Sequence, residues 1–184
     1  MHEHILTLLG AIIGFLGKSA WDIYWRKRHE KEALSLNKRV EILEKQLNEF
    51  YWPLLFQLRK NDIVWQRVMG VSHSEDELEK ELINKLSREY FFPNNEKMLE
   101  IIESKYYLAQ ATEKVKIQID AFIRHQSIFQ GIRNTLNRDI DPIRFGEPWP
   151  NGFLPSIEEH TLKLQAEYDQ ILGMVKGESI NSAK

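Results

Sequence analysis

The stretch ALSLNKRVEILEKQLNEFYWPL, residues 33–54, carries apolar side chains at alternating spacings of three and four. The repeating positions are Ala33, Leu36, Val40, Leu43, Leu47, Phe50 and Leu54. This period places them on one face of a helix, with charged side chains on the other face. The stretch therefore predicts either a coiled-coil stalk that joins protomers or one helix of an intramolecular bundle.

Downstream of this stretch the same period continues, and no alternating pattern predicts a strand. Pro53 predicts a kink or a new helix start, because proline lacks a backbone donor. A second helix is expected to reach about Met69, and Ser74-x-x-Glu77 is a capping box for a third. We expect an all-α protein with an antiparallel helical bundle.

Two further boundaries complete the bundle. Pro93-Asn94-Asn95 is expected to break the third helix and to cap a long fourth helix that reaches Leu136. Ser156-x-x-Glu159 predicts the start of a final helix, and Gly173 and Gly177 predict its end.

Upstream, the chain is apolar from Ile5 to Gly17 and continues with few charges to Trp25. As a helix this segment is roughly 31 Å long, which matches a hydrocarbon core of about 30 Å. Trp21, Tyr24 and Trp25 suit the headgroup level at one end. The basic cluster Arg26-Lys27-Arg28 follows directly. The segment therefore predicts a single membrane span.

The polarity of this span predicts an uncleaved signal anchor in the inner, cytoplasmic membrane. A cleaved signal peptide carries its positive charge before the apolar core, whereas here the basic cluster follows it. The positive-inside rule then places the N-terminus outside and the bundle in the cytoplasm. The expected segments are the anchor (1–28), a linker helix (29–52), a cytoplasmic helical domain (53–176) and a disordered tail (177–184).

Gly10, Gly14 and Lys18 are the candidate functional residues of the span. Gly10-x-x-x-Gly14 is the spacing that lets membrane helices approach closely. Lys18 and Asp22 are four residues apart and are costly inside a bilayer. They either lie near the cytoplasmic interface and snorkel to it, or line a pore in an oligomer.

Composition excludes several classes of site. The chain has 184 residues, a formal net charge of −2 and no cysteine. Thiolate metal sites, disulfides and cysteine nucleophiles are therefore excluded. The charge gives no drive towards duplex nucleic acid. No metalloprotease, serine-elbow or dinucleotide motif is present, so we expect neither an enzyme nor a cofactor or metal.

The candidate ligand site combines basic side chains with the proline- and aromatic-rich segment 137–155. Its members are Arg124, Arg133, Arg138, Arg144 and Trp149. Forked guanidinium groups bind phosphate and aromatic rings stack on bases, which suits an anionic cyclic oligonucleotide. The alternatives are that the basic residues pair with an acidic neighbouring helix, that the segment is a clamp closing the core, and that His125 is a hydrogen-bonded packing residue.

Three stretches carry a resemblance: residues 50–54 (FYWPL), residues 141–150 (DPIRFGEPWP) and residues 164–168 (LQAEY). Together with the anchor they resemble a group of small bacterial single-pass membrane proteins of unassigned function. The architecture is also similar to the membrane effector of type III CRISPR antiviral systems that binds cyclic tetra-adenylate. That resemblance implies a signal-gated membrane disruptor, and it transfers no binding residue to this chain.

We therefore expect a membrane-anchored homo-oligomeric effector, with a function in antiviral defence. Its cytoplasmic domain would bind a ligand, and its span would then alter the integrity of the lipid bilayer. The alternative is a tethered scaffold or adaptor that recruits a partner protein to the inner membrane.

Overall fold

The computed structural model describes residues 2–69, 77–136 and 142–176. Side chains are described over the same ranges except at residues 2–17, 19, 20, 23, 69, 136, 142 and 143. Every regular element in these ranges is helical. The prediction of an all-α protein is confirmed.

The helical elements follow one another with few interruptions. The α-helices are α1 (His2–Lys45), α2 (Trp52–Val64), α3 (Glu77–Leu86), α4 (Phe92–Lys105), α5 (Glu113–Leu136) and α6 (Phe153–Lys176). π-Helical turns cover Gln46–Tyr51, Trp65–Met69 and Ser87–Phe91, and 3-10 turns cover Tyr106–Leu108 and Pro142–Phe145.

The chain divides into two units. One comprises Met1–Ile42 with Asp169–Lys184, and the other is the compact unit Leu43–Tyr168. The compact unit thus includes residues 43–52, which the sequence assigned to the linker. The predicted tail, 177–184, lies outside the described residues.

An α-helix begins next to each of the prolines Pro53 and Pro93, α2 at Trp52 and α4 at Phe92, as the expected helix starts required. Each proline follows a π-turn: the N–H of Trp52 bonds to the carbonyl of Leu47, and the N–H of Phe92 to that of Ser87. The backbone stays right-handed helical through both junctions. A proline in an ordinary α-helix clashes with the carbonyl four residues earlier, whereas the turns before these prolines are closed by hydrogen bonds that reach five residues back.

The predicted long fourth helix is wrong in one respect, because it ends at Lys105 and a new helix begins at Glu113. Two side chains of the π-turn Gln46–Tyr51 bind carbonyls at this break. Gln46 Nε2 donates to the carbonyl of Leu108 at 2.7 Å, and the Tyr51 hydroxyl donates to that of Ala109. Gln110 has φ +35°, the only positive φ of a described residue other than glycine.

The final helix begins earlier than its capping signal indicated. α6 starts at Phe153, and Ser156 lies buried in its first turn with its N–H bonded to the carbonyl of Gly152. Pro155 is tolerated because first-turn N–H groups have no intrahelical acceptor. Gly173 does not end the helix, which continues to Lys176.

Cross-helix contacts fix the packing directions in the compact unit. Glu49 pairs with Lys105 whereas Asn61 pairs with Asn95, so α2 and α4 run antiparallel. Trp52 bonds to Gln165 and Arg59 to Glu158, so α2 and α6 are antiparallel as well. The interior faces of α2, α4 and α6 therefore pack together in a single core.

The heptad residues of the opening stretch belong to this core. Leu43, Leu47, Phe50 and Leu54 are at most 3% exposed. Of the two predicted alternatives, this part of the stretch is a helix of an intramolecular bundle. Ala33 is exposed, and Leu36 and Val40 are half-buried.

Asparagine side chains form a buried polar network between α2 and α4. Asn61 donates to Asn95 at 2.7 Å, and Asn94 donates to Asn61 and to the carbonyl of Gln57. All three asparagines are buried. Buried amides are costly unless their partners align, so the network favours a single register between these two helices.

Candidate functional site

The segment after α5 folds back onto the bundle through its aromatic residues. The Trp149 ring meets Phe122 and His125 edge-on, each with centroids 5.6 Å apart. Phe153 stacks on Phe122 at 4.9 Å, and Pro150 is buried. These contacts have the form of the predicted clamp that closes the core.

Gly152 allows this close approach. A Cβ atom at this position would lie 2.8 Å from the side-chain amide of Gln118, inside the van der Waals limit. A glycine therefore fits here where a larger residue would displace the Gln118 side chain.

Glu147 links the clamp to α5 through two of its groups. Its carboxylate accepts from Arg124 Nε at 3.3 Å, and its backbone carbonyl lies 2.8 Å from His125 Nδ1. Because a carbonyl can only accept, His125 carries its proton on Nδ1. His125 is therefore a hydrogen-bonded packing residue, the alternative stated for it above.

The candidate arginines occupy different places. Arg124 lies at the clamp, whereas the Arg133 guanidinium lies 5.3 Å from the centroid of the Phe92 ring. Nine residues of helix separate them, about 13 Å along α5. Arg144 is exposed in the turn Pro142–Phe145, and Arg138 lies outside the described residues. The structure thus brings Arg124 and Trp149 to one segment and places Arg133 elsewhere.

Acidic side chains on neighbouring helices face several basic residues. Glu159 of α6 lies between Lys114 of α5, at 2.6 Å, and Lys163, at 2.7 Å. These two lysines, Lys114 first, lower the pKa of the Glu159 carboxyl to about 2. Lys105 pairs with Glu49 at 2.8 Å in the same way. Lys105 and Lys114 are thus engaged by pairing between elements, whereas Lys163 pairs within α6.

A titratable pair that sequence reasoning missed lies between α6 and the first π-turn. The His160 ring packs on Tyr51, with centroids 4.8 Å apart. Burial, followed by Lys163, lowers the pKa of His160, and burial raises that of Tyr51. The Nε2 atom of His160 is buried and has no hydrogen-bond partner within the described part of the chain. The sequence signal that could have placed His160 in the interior is its helical spacing with Ile157, Thr161 and Leu164, which are buried.

The described part of the predicted span carries a ladder of aromatic side chains. Trp21 and Tyr24 are 62% and 58% exposed, and both rings contact Trp25 edge-on. The Arg28 guanidinium lies 5.3 Å from the Trp25 centroid. Lys18 is exposed on the same helix. The backbone of Gly10 and Gly14 is helical, but the side chains of residues 5–17 of the span lie outside the description.

Among the residues whose side chains the structure describes, no helix is both long enough and apolar enough to cross a membrane. Among these residues there is likewise no cluster of three or more histidine and acidic side chains suited to a metal ion. Comparisons of the chain with protein-family models, with curated proteins and with solved structures give no match.

The clamp predicts unequal effects of two substitutions. Trp149→Ala should lower the free energy of unfolding by about 3 kcal/mol, because a packed indole is lost. Arg124→Ala removes an exposed ion pair and should cost less than about 1 kcal/mol. Urea unfolding followed by circular dichroism measures both. A Trp149→Ala protein as stable as the wild type would show that the indole is not part of the core.

His160 predicts a loss of stability in mild acid. Because its pKa is below the usual 6.5 only in the folded chain, the unfolded chain takes up a proton first as the pH falls. The free energy of unfolding should drop below pH 6.5, with the loss complete under the native pKa. His160→Phe should remove this component, whereas His29→Gln, at an exposed position, should retain it. An unchanged pH profile in His160→Phe would refute the assignment.

Proposed function

We propose that the chain is a single-pass membrane protein whose compact helical unit is a cytoplasmic adaptor. In this proposal residues 5–25 are the anchor in the inner membrane, and Leu43–Tyr168 is a protein-binding module. The observation that carries the proposal is the exposed aromatic and basic ladder at residues 21–28.

The ladder matches the chemistry of a membrane–water interface. Tryptophan and tyrosine rings are favoured at the headgroup level, where their apolar bodies and polar edges are both satisfied. The exposed Arg26, Lys27 and Arg28 follow within one turn, as expected where anionic headgroups begin. Lys18 and Asp22 lie one turn apart, within snorkelling reach of the same interface.

The adaptor role is supported by how the compact unit uses its charged and aromatic groups. Arg124 pairs with Glu147 and Trp149 packs on Phe122, so these two of the five candidate ligand-binding side chains have internal partners. Exposed apolar side chains remain on the outside of the unit. They include Phe56, Ile63, Trp65, Leu78, Leu82 and Tyr107. Of these, Leu78 and Leu82 lie one turn apart on one face of α3, and a shared apolar face of this kind suits binding to another protein.

A ligand-gated membrane effector is the second candidate, and one observation favours it. Arg144 and Phe145 are adjacent and both exposed in the turn Pro142–Phe145. A forked cation beside an aromatic ring is suited to a nucleotide phosphate and its base. In this case binding at the turn would change the arrangement of oligomeric spans in the bilayer.

Anchoring predicts that charges in the apolar run release the protein from membranes. Ile12→Arg with Phe15→Arg should shift the chain from the carbonate-resistant membrane pellet to the supernatant. Each arginine costs about 2.5–3.5 kcal/mol at the centre of a span. The matched control is Ile63→Arg with Phe145→Arg, the same two changes at exposed positions of the compact unit. This control should remain in the pellet. Extraction of the wild type by carbonate would contradict anchoring.

Host growth separates the adaptor from the effector. An adaptor should leave growth unchanged on overproduction, and it should keep its function when an unrelated anchor replaces residues 5–25. An effector should arrest growth, and Gly14→Leu should relieve the arrest because close helix approach is lost. Growth arrest that depends on Gly14 would overturn the adaptor proposal in favour of the effector.

A further inference from the structure

Helix α3 differs from the other helices of the compact unit in its packing. It is amphipathic, yet none of its residues is buried, whereas α2, α4, α5 and α6 each bury part of one face. Leu78 is 73% exposed, the highest value among the described large apolar side chains, and Leu82 is 49% exposed. An apolar helical stripe is normally covered by another surface.

Charge beside the leucines of α3 is divided along the helix. Lys80 pairs with Glu77 at 3.0 Å, and its position two residues from both leucines puts it on the opposite side of the helix. The open surface that carries Leu78 and Leu82 also carries Glu79, Glu81 and Lys85. Glu81 and Lys85 are one turn apart and therefore lie on the same flank of the leucine stripe. Beside the leucines, Glu79 and Glu81 precede Lys85, so this face is complementary to an antiparallel copy of itself.

We propose that α3 pairs with α3 of a second copy of this chain, antiparallel and about a two-fold axis at Leu82. The contact is isologous, so every interaction occurs twice. Leu82 meets its own counterpart, and Leu78 lies level with the last turn of the partner helix. Lys85 reaches the partner's Glu81 on the flank. A parallel pair would instead oppose the two acidic turns, which is unfavourable.

The proposed contact between the two α3 helices is small, so its formation depends on the effective concentration of the chains. Ten residues of helix span about 15 Å, too little to bury the 1,200 Å² or more of a standard stable interface. Two copies in one membrane gain a high effective concentration, which makes a weak contact significant. The proposed geometry of the pair does not depend on the membrane anchor. Its strength does, because it rests on the proposed anchoring of both copies.

The heptad stretch is a less suitable site for self-association in its second half. Leu43, Leu47, Phe50 and Leu54 are buried within their own compact unit. Pairing through them would require that the core open. By contrast, α3 can pair without the loss of any core contact.

The absence of cysteine from the natural sequence permits a direct test by single-cysteine crosslinking of the full chain in lipid vesicles. Leu82→Cys should form a disulfide-linked dimer on mild oxidation, because the axis brings the two copies together. Leu78→Cys alone should not, since its two copies are about 12 Å apart along the axis. A mixture of Leu78→Cys and Lys85→Cys should crosslink. The control is Leu162→Cys, an exposed leucine of α6.

Charge variants in the Leu82→Cys background test the flank. Glu81→Lys or Lys85→Glu alone opposes like charges and should slow crosslinking several-fold. The double exchange restores complementarity with the same composition and should restore the rate. A double exchange slower than either single change would refute the pairing of Lys85 with the partner's Glu81.

Two outcomes would overturn the pairing: Leu82→Cys crosslinking no faster than Leu162→Cys, or Leu78→Cys crosslinking with itself. Flotation of the same vesicles separates this proposal from anchoring. Floating but uncrosslinked protein refutes only the pairing, whereas crosslinked dimer that does not float refutes only the anchor.

Discussion

The compact unit depends on hydrogen bonds that the π-turn Gln46–Tyr51 donates to the turn between α4 and α5. Gln46 and Tyr51 bind the carbonyls of Leu108 and Ala109, where the helical ladder is interrupted. Both side chains are buried, so these carbonyls would otherwise lose their solvent partners without compensation. The same donors fix the position of the end of α4 along the π-turn Gln46–Tyr51. The asparagine network then has only one register in which its amides meet.

The two prolines act together with this register. Glu49-Phe50-Tyr51-Trp52-Pro53 and Glu89-Tyr90-Phe91-Phe92-Pro93 have the same pattern, an acid, three aromatics and a proline. Both prolines follow π-turns. Both also precede the buried positions that make the asparagine and leucine contacts. An extra residue in a helical turn rotates the downstream face. The prolines thereby define which side chains of α2 and α4 point into the core.

Sequence reasoning captured what depends on local periodicity and missed what depends on distant partners. Helical class and the buried face through Leu47, Leu54 and Ile119 follow from spacing alone. The break after Lys105 does not, because its carbonyls are satisfied from residues about 60 positions earlier. For the candidate site, Trp149 was identified, but Glu147, its link to Arg124 and His125, carries no distinctive local signal. The His160–Tyr51 contact likewise joins residues distant in sequence.

The distribution of charge connects the fold with the proposed role. Within the bundle, Lys105, Lys114 and Arg124 form ion pairs with acidic side chains on other elements. These charges are therefore paired within one copy of the chain. On α3, Glu81 and Lys85 lie one turn apart on a single helix instead, beside the exposed leucines Leu78 and Leu82. Ion pairs at such an exposed site contribute little alone. They select orientation more than they add affinity, so a tethered contact of this kind would be specific and also reversible.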